Sequence, residues 1–122
     1  ITDTLNVVDK SKVINGIPFY SRVWCTTPDG TVSAFACGMS EALGYLTDHG
    51  VTPQFLEDIG LNYGSYTSDK DGNFYEVWLQ DATAVEEEMK LIREFDLAGV
   101  AEWKIGFESG TDIWNTISSY LQ

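Results

Sequence analysis

Residues Leu97–Gly106 read LAGVAEWKIG and set the expected class of fold. The run is short, mostly apolar and ended by glycine, which is typical of a strand buried in a parallel sheet. Amphipathic helical patterns precede and follow it, so the core unit is expected to be strand, helix, strand, helix. Trp103 stands near the carboxyl end of the last strand, where parallel sheets and barrels place their ligands.

Composition narrows the classes of partner. The chain has 122 residues and a net charge of −12, from 19 acidic and 7 basic residues. Such a charge argues against nucleic acid and against anionic membrane surfaces as partners, and leaves neutral substrates such as sugars open. No apolar run approaches the ~20 residues of a membrane-spanning helix.

The cysteine and histidine residues do not form a metal-binding pattern. Cys25 and Cys37 are not part of a C-x-x-C motif, and the single histidine, His49, stands beside Gly50 in an expected turn. We therefore expect no metal and no cofactor. The sequence does not decide whether Cys25 and Cys37 form a disulfide, although it favours free thiols.

The first half of the chain predicts mainly strands. One strand is expected over residues 13–20, continuing to Trp24, although Gly16 and Pro18 are unusual within a strand. A short strand over 31–36 and a helix from an N-cap at Ser40 to Thr47 should follow. Residues 61–66 and 74–79 flank the turn sequence DKDGN, which predicts a β-hairpin with Phe74, Glu76 and Trp78 on one face.

The second half predicts two helices around the Leu97–Gly106 strand. Thr83 to Glu86 fits a capping box, and the following Glu86–Glu88 run is interpreted as a solvated helix face. Thr111 or Asp112 should begin the last helix. The segment 23–80 between the two strands is far longer than an ordinary βα loop.

Two stretches carry a family resemblance. Lys12–Arg22, KVINGIPFYSR, resembles the seventh-strand motif of glycoside hydrolase family 18, the chitinase-like TIM barrels, and Leu97–Gly106 resembles the eighth. The intervening segment resembles the family's small insertion, most closely in the bacterial branch that includes spore-cortex glycosidases. The resemblance implies an α/β fold (α+β in isolation), the C-terminal part of a (β/α)8 barrel. Residues 1–22 and 81–122 would form barrel units, and 23–80 an α+β insertion containing the hairpin.

The resemblance also implies a carbohydrate site. Trp103 would form the floor under the sugar at the cleavage point, with Tyr20 and Arg22 at the rim. The implied partner is a glycan containing β-1,4-linked N-acetylglucosamine, chitin-like or peptidoglycan-like. The parent protein would be extracellular or associated with the cell envelope or spore.

The family's catalytic groups are missing from the sequence. It contains neither the Asp-x-x-Asp-x-Asp-x-Glu motif that carries the general acid nor the sixth-strand Tyr-Asp pair. The chain alone is therefore expected to be inactive, although its parent would be a glycoside hydrolase. It would self-associate or pair with the missing N-terminal half of the barrel. The alternative is a non-catalytic carbohydrate-binding or assembly module of the same architecture. Glu102 departs from the family pattern, and we interpret it as a structural carboxylate paired with Lys104.

Overall fold

The computed structural model describes residues 1–121 as an α+β arrangement with two separate sheets. The strands are β1 (Ile14–Pro18), β2 (Tyr20–Thr26), β3 (Val32–Gly38), β4 (Gln54–Leu56), β5 (Leu61–Thr67), β6 (Phe74–Leu79) and β7 (Gly99–Trp103). The helices are α1 (Thr2–Leu5), α2 (Met39–Thr47), α3 (Ala82–Glu94) and α4 (Asp112–Tyr120), with a 3-10 turn at Lys10–Lys12. The predicted hairpin is confirmed as β5 and β6.

The smaller sheet is a parallel pair of β1 and β7, in register from Ile14 opposite Gly99 to Pro18 opposite Trp103. One face is covered by α3 and α4, and the shared core contains Ile17, Phe19, Met39, Val85, Met89, Ile92, Ile113 and Ile117. The other face is bare, with Ile14 60% exposed and Ala101 also exposed. The expectation of a strand buried on both faces is therefore wrong for β7, because the chain covers one face only.

The larger sheet is antiparallel, in the order β3-β2-β6-β5-β4. Helix α2 covers one face and forms a core of Val23, Cys37, Ala42, Leu46, Val77 and Leu79. A Cβ atom at Gly64 would lie 2.7 Å from Cδ1 of Leu46, so the glycine lets α2 approach the sheet. The opposite face of this sheet, which carries Tyr20, Arg22, Trp24, Tyr63, Glu76 and Trp78, is called the open face below.

The two sheets meet at Phe19. The strand predicted over 13–24 is divided there into β1, which joins the parallel pair, and β2, which joins the larger sheet. Phe19 is fully buried, and its backbone N–H donates a 2.7 Å hydrogen bond to the carbonyl of Trp103. The expected boundary after Arg22 therefore falls inside β2.

Two predicted helix caps are wrong. Helix α2 begins at Met39 with Gly38 as its N-cap, not Ser40, because the Met39 N–H donates to the carbonyl of Phe107 at 2.8 Å. Helix α3 begins one residue after Asp81, whose side chain accepts from the Ala84 N–H at 3.0 Å. A 2.7 Å hydrogen bond from Asn62 holds the Asp81 carboxylate, which gives it an advantage over Thr83.

Both cysteines are free thiols, as favoured from the sequence. Cys25 lies opposite Ser33 and Cys37 opposite Ser21, so they occupy different rungs of the β2–β3 ladder. Burial, with the nearby charge of Glu41, raises the pKa of the Cys37 thiol to about 11. Cys37 therefore stays protonated and unreactive at neutral pH.

Over residues 1–121, none of the helices combines the length and the apolar character needed to cross a membrane. Across that same range, His, Cys, Asp and Glu side chains form no group of three or more that could hold a metal ion.

Candidate functional site

Trp103 is the last residue of β7 and lies opposite Pro18. Its indole is 68% exposed, although the strand that carries it is anchored to a packed core. The bare face of β1 and β7 also carries Ile14 and Ala101 and is continuous with this ring. A contiguous exposed apolar patch of this kind marks a surface that contacts a ligand or another protein surface.

An open depression of about 320 Å³ lies beside Trp103. Its lining consists of Gly16, Ile17, Pro18, Tyr20, Ala101, Glu102 and Trp103. Tyr20 is half-buried at the start of β2, immediately after the buried Phe19. The depression therefore lies where the carboxyl ends of the parallel strands meet the second sheet, and the structure brings the predicted floor and one predicted rim residue together.

Arg22 belongs to the open face rather than to the depression. It lies two residues after Tyr20 and is exposed, with its guanidinium carbon 5.7 Å from the centre of the Tyr20 ring. A cation–π contact at an exposed site contributes roughly 0.5–1 kcal/mol. Arg22 thus neighbours the depression through Tyr20, and the functional assignments of Trp103, Tyr20 and Arg22 stay predictions.

The predicted Glu102–Lys104 pair is wrong. Glu102 lies opposite Ile17 and is half-buried, as alternation with Trp103 requires. Lys104 lies beyond the end of β7, where its ammonium group is 5.1 Å from the centre of the Phe107 ring. The chain leaves the strand direction after Trp103, so the two side chains do not share a strand face.

The open face continues the site with aromatic residues that the sequence analysis did not assign. Trp78 lies opposite Arg22 in register, and its ring centre is 4.6 Å from that of Tyr63. The Tyr63 hydroxyl donates to Glu76 at 2.8 Å, and the pKa of Tyr63 is raised by burial and by that carboxylate. Strand alternation placed Trp78 and Glu76 on one face, but only the pairing of β6 with β2 places that face beside Tyr20.

Glu88 does not belong to a solvated helix face. Its carboxylate accepts a 2.8 Å hydrogen bond from Nε2 of Gln80, and burial raises its pKa to about 7. Glu87 conforms to the expectation, since it is partly exposed and pairs with Lys90 at 2.6 Å. Glu88 does not line the Trp103 depression. It stands four residues after Ala84 and so lies on the same side of α3 as that buried residue.

Comparison with known proteins places the fold in a class. No family model matches the chain. It is 27% identical over 104 residues to the cortical fragment-lytic enzyme of Bacillus subtilis, covering 84% of this chain and 24% of that protein. The spore cortex-lytic enzyme SleL of Bacillus megaterium matches with a TM-score of 0.81 and 25% identity, over 95% of this chain and 27% of SleL.

A family 18 chitinase from Cycas revoluta, solved with (GlcNAc)4, shares the fold with a TM-score of 0.74 at 18% identity, over 98% of this chain and 36% of that one. The chain spans between 24% and 31% of the length of the curated relatives it matches. Its α+β fold is that of the C-terminal portion of chitinase-like glycoside hydrolases. Within that class its homologues are bacterial sporulation glycosylases and spore cortex-lytic enzymes, which confirms the resemblance seen in the sequence.

Proposed function

We propose that this chain is the C-terminal portion of a family-18-type glycoside hydrolase that acts on β-1,4-linked N-acetylated amino sugars, chitin-like or peptidoglycan-like. In this proposal it supplies the floor and rim of the substrate site and not the catalytic acid. The observation that carries the proposal is the exposed indole of Trp103 at the carboxyl end of β7, beside Tyr20.

The residues around the depression suit a sugar ring. An indole presents a flat apolar surface to the C–H face of a pyranose, and a phenol hydroxyl donates or accepts a hydrogen bond with sugar hydroxyls. Trp103 supplies the first group and Tyr20 the second. Arg22 adds up to five N–H donors at the edge, and none of these groups requires a charged substrate.

The acid must come from elsewhere in the parent protein. General acid catalysis of glycoside cleavage needs a carboxyl group at the glycosidic oxygen, and in this family the substrate's N-acetyl group replaces the second carboxylate. Glu102 also lines the depression, but its side chain alternates with that of Trp103 along β7 and lies on the strand face of the buried Ile17, so we do not assign it the role of the acid. The spore and cortex relatives support a parent associated with the cell envelope or spore.

The second candidate is a carbohydrate-binding module without catalysis. It is favoured by the open face, where Trp24, Tyr63 and Trp78 extend an aromatic surface away from the depression. An Asp-x-x-Asp-x-Asp-x-Glu motif ~100–150 residues before Ile1 in the parent, at the distance of several βα units, would select the enzyme.

The proposal is tested by titrating the chain, at a concentration where light scattering shows a monomer, with an N-acetylglucosamine tetramer and following binding by calorimetry. Trp103→Ala should weaken binding by roughly 10-fold or more, as expected for a lost stacking contact. Ile105→Ala is the matched control, because Ile105 is 72% exposed in the same segment but does not line the depression. Equal binding by both variants would contradict the proposed floor, and loss of binding only in Trp78→Ala would favour the module.

A further inference from the structure

A second cavity, of about 520 Å³, lies on the opposite side of the larger sheet from the open face. It is formed between α2 with its following turn and the end of the β5–β6 hairpin, and it is called the α2 pocket below. Three carboxylates (Glu41, Asp48, Asp71) and the aromatic residues Tyr45, His49, Tyr66 and Tyr75 line it. It shares no residue with the Trp103 depression.

The rings that form the aromatic wall of the α2 pocket stack on one another. The His49 ring stacks on Tyr66 at 3.8 Å with an interplanar angle of 13°, and Tyr66 stacks on Tyr75 at 5.2 Å and 15°. Nδ1 of His49 donates to the carbonyl of Tyr45 at 2.8 Å, which fixes the imidazole at the end of α2. Where a ring face is not covered by its neighbour in this stack, it attracts cations, above all those that can themselves stack.

The electrostatics of the pocket are negative. Within residues 1–121, Glu41 and Asp48 have no ion pair, and the Asp71 carboxylate accepts from the Tyr75 hydroxyl at 3.0 Å. Lys70 is the one lysine or arginine in the lining, against three carboxylates. Burial and the charge of Glu41 raise the pKa of Tyr45, as expected where a further negative charge is unfavourable.

We propose that the α2 pocket binds an arginine side chain presented by a basic segment of a partner protein. Guanidinium is planar, stacks on aromatic rings and forms paired hydrogen bonds with carboxylates, so it matches a wall of rings bordered by Glu41 and Asp48. A lysine ammonium matches less well, because it is a compact, strongly hydrated charge. The net charge of −12 attracts a basic segment from a distance. The proposal does not depend on the glycan site.

His49 provides a direct reporter, since it is the single histidine of the chain and forms part of the pocket wall. Its imidazole C–H resonances are followed by proton NMR while the full chain is titrated with a Gly/Ser hexapeptide containing one arginine. Identical peptides with citrulline or lysine in that position are the ligand controls. The arginine peptide should shift the His49 signals saturably, the citrulline peptide should not, and the lysine peptide should bind more weakly.

Variants of the protein test whether the arginine peptide binds in the α2 pocket. Asp48→Asn should weaken binding of the arginine peptide roughly two- to fivefold, as expected for the loss of an exposed ion pair. The double variant with Glu41→Gln and Asp48→Asn should weaken binding more than either single variant. Asp58→Asn, an exposed aspartate outside the lining, should leave binding unchanged, and far-UV circular dichroism checks that each variant is folded. Equal binding of the citrulline or lysine peptide, no saturable shift, or unchanged affinity in the double variant would each overturn the proposal.

Discussion

Nε2 of Gln80 donates a 2.8 Å hydrogen bond to the carboxylate of Glu88, joining the end of β6 to the second turn of α3. Gln80 is itself fixed by its backbone N–H, which donates to the Ser21 hydroxyl of β2 at 2.9 Å. A partly desolvated carboxyl therefore lies where both sheets and a helix meet. Burial outweighs the favourable hydrogen bond and raises the pKa of Glu88 to about 7 from 4.5.

This pKa makes stability depend on pH. Between about pH 4.5 and 7 the folded chain binds more protons at Glu88 than the unfolded chain, so the free energy of unfolding falls as pH rises through this window. Glu88→Gln should remove that dependence and add roughly 1–2 kcal/mol at pH 8, less than the full linkage because the carboxyl is partly solvated. Urea unfolding at pH 5 and pH 8 measures both quantities. Glu94→Gln, an exposed acid of the same helix, is the control, and parallel pH profiles in all three proteins would contradict the prediction.

In the full-length parent, Trp103→Ala should lower kcat/KM by roughly 10–100-fold, because a stacking term on the order of 1–3 kcal/mol is lost. If Trp103 faces the substrate rather than the core, its loss leaves little cavity and the melting temperature should fall by no more than about two degrees. Steady-state kinetics and calorimetry on the same preparation separate the two effects. A large decrease in melting temperature with unchanged kcat/KM would identify Trp103 as a structural residue.

The isolated chain should not hydrolyse a chromogenic N-acetylglucosamine oligomer. A general acid alone contributes roughly 10²–10⁴-fold, and the sequence contains neither this acid motif nor the pair that orients the N-acetyl group. Release of the chromophore is compared with buffer and with the heat-denatured chain. Turnover that co-purifies with the chain through two unrelated columns would contradict the prediction.

The isolated chain should self-associate through the bare face of β1 and β7. On that face Ile14 and Trp103 are each at least 60% exposed, whereas Ile17 lies on the other face and is buried under the helices. Apolar strand surface next to unpaired strand edges favours pairing with a second copy. Light scattering over a concentration series should show a dimer or larger species that Ile14→Glu dissociates. A monomer at all concentrations would contradict the predicted self-association.

Gly64→Ala should destabilise the chain by roughly 1–3 kcal/mol. The added Cβ would lie 2.7 and 2.8 Å from the two Cδ atoms of Leu46, which is fully buried and cannot turn away from both contacts. Gly44→Ala is the contrasting variant, since a Cβ there meets nothing within 4 Å and alanine favours the helix by about 0.5–1 kcal/mol. Thermal unfolding of the two variants should therefore shift in opposite directions.

Local patterns predicted the parts of the fold that depend on neighbouring residues. The hairpin follows from two alternating runs around a glycine turn, and the end of α2 follows from Gly50, which adopts a φ of 69°. The motifs around Tyr20 and Trp103 indicated the fold through resemblance. The single depression that contains both residues could not be derived from either motif alone.

The features that sequence analysis missed depend on distant residues. Asp81 becomes the cap of α3 because Asn62, 19 positions earlier, holds its carboxylate. Gly16 and Pro18 were a local signal that the first strand is interrupted, but its division at Phe19 depends on a distant residue, since the Phe19 N–H donates to the carbonyl of Trp103. The burial of Glu88 needed Gln80 as a partner that the helical pattern did not include.

At the joint at Phe19, the number of residues constrains the fold as strongly as the identity of the buried side chain does. Side chains of β2 alternate between the core under α2 and the open face, so one residue added or removed between Pro18 and Tyr20 would turn the whole strand over. Val23 would then point to solvent, and Trp24 would be forced against Leu46. An insertion or deletion at this joint should therefore disrupt the fold, even where a substitution does not. Differences in length should occur in the neighbouring loops instead.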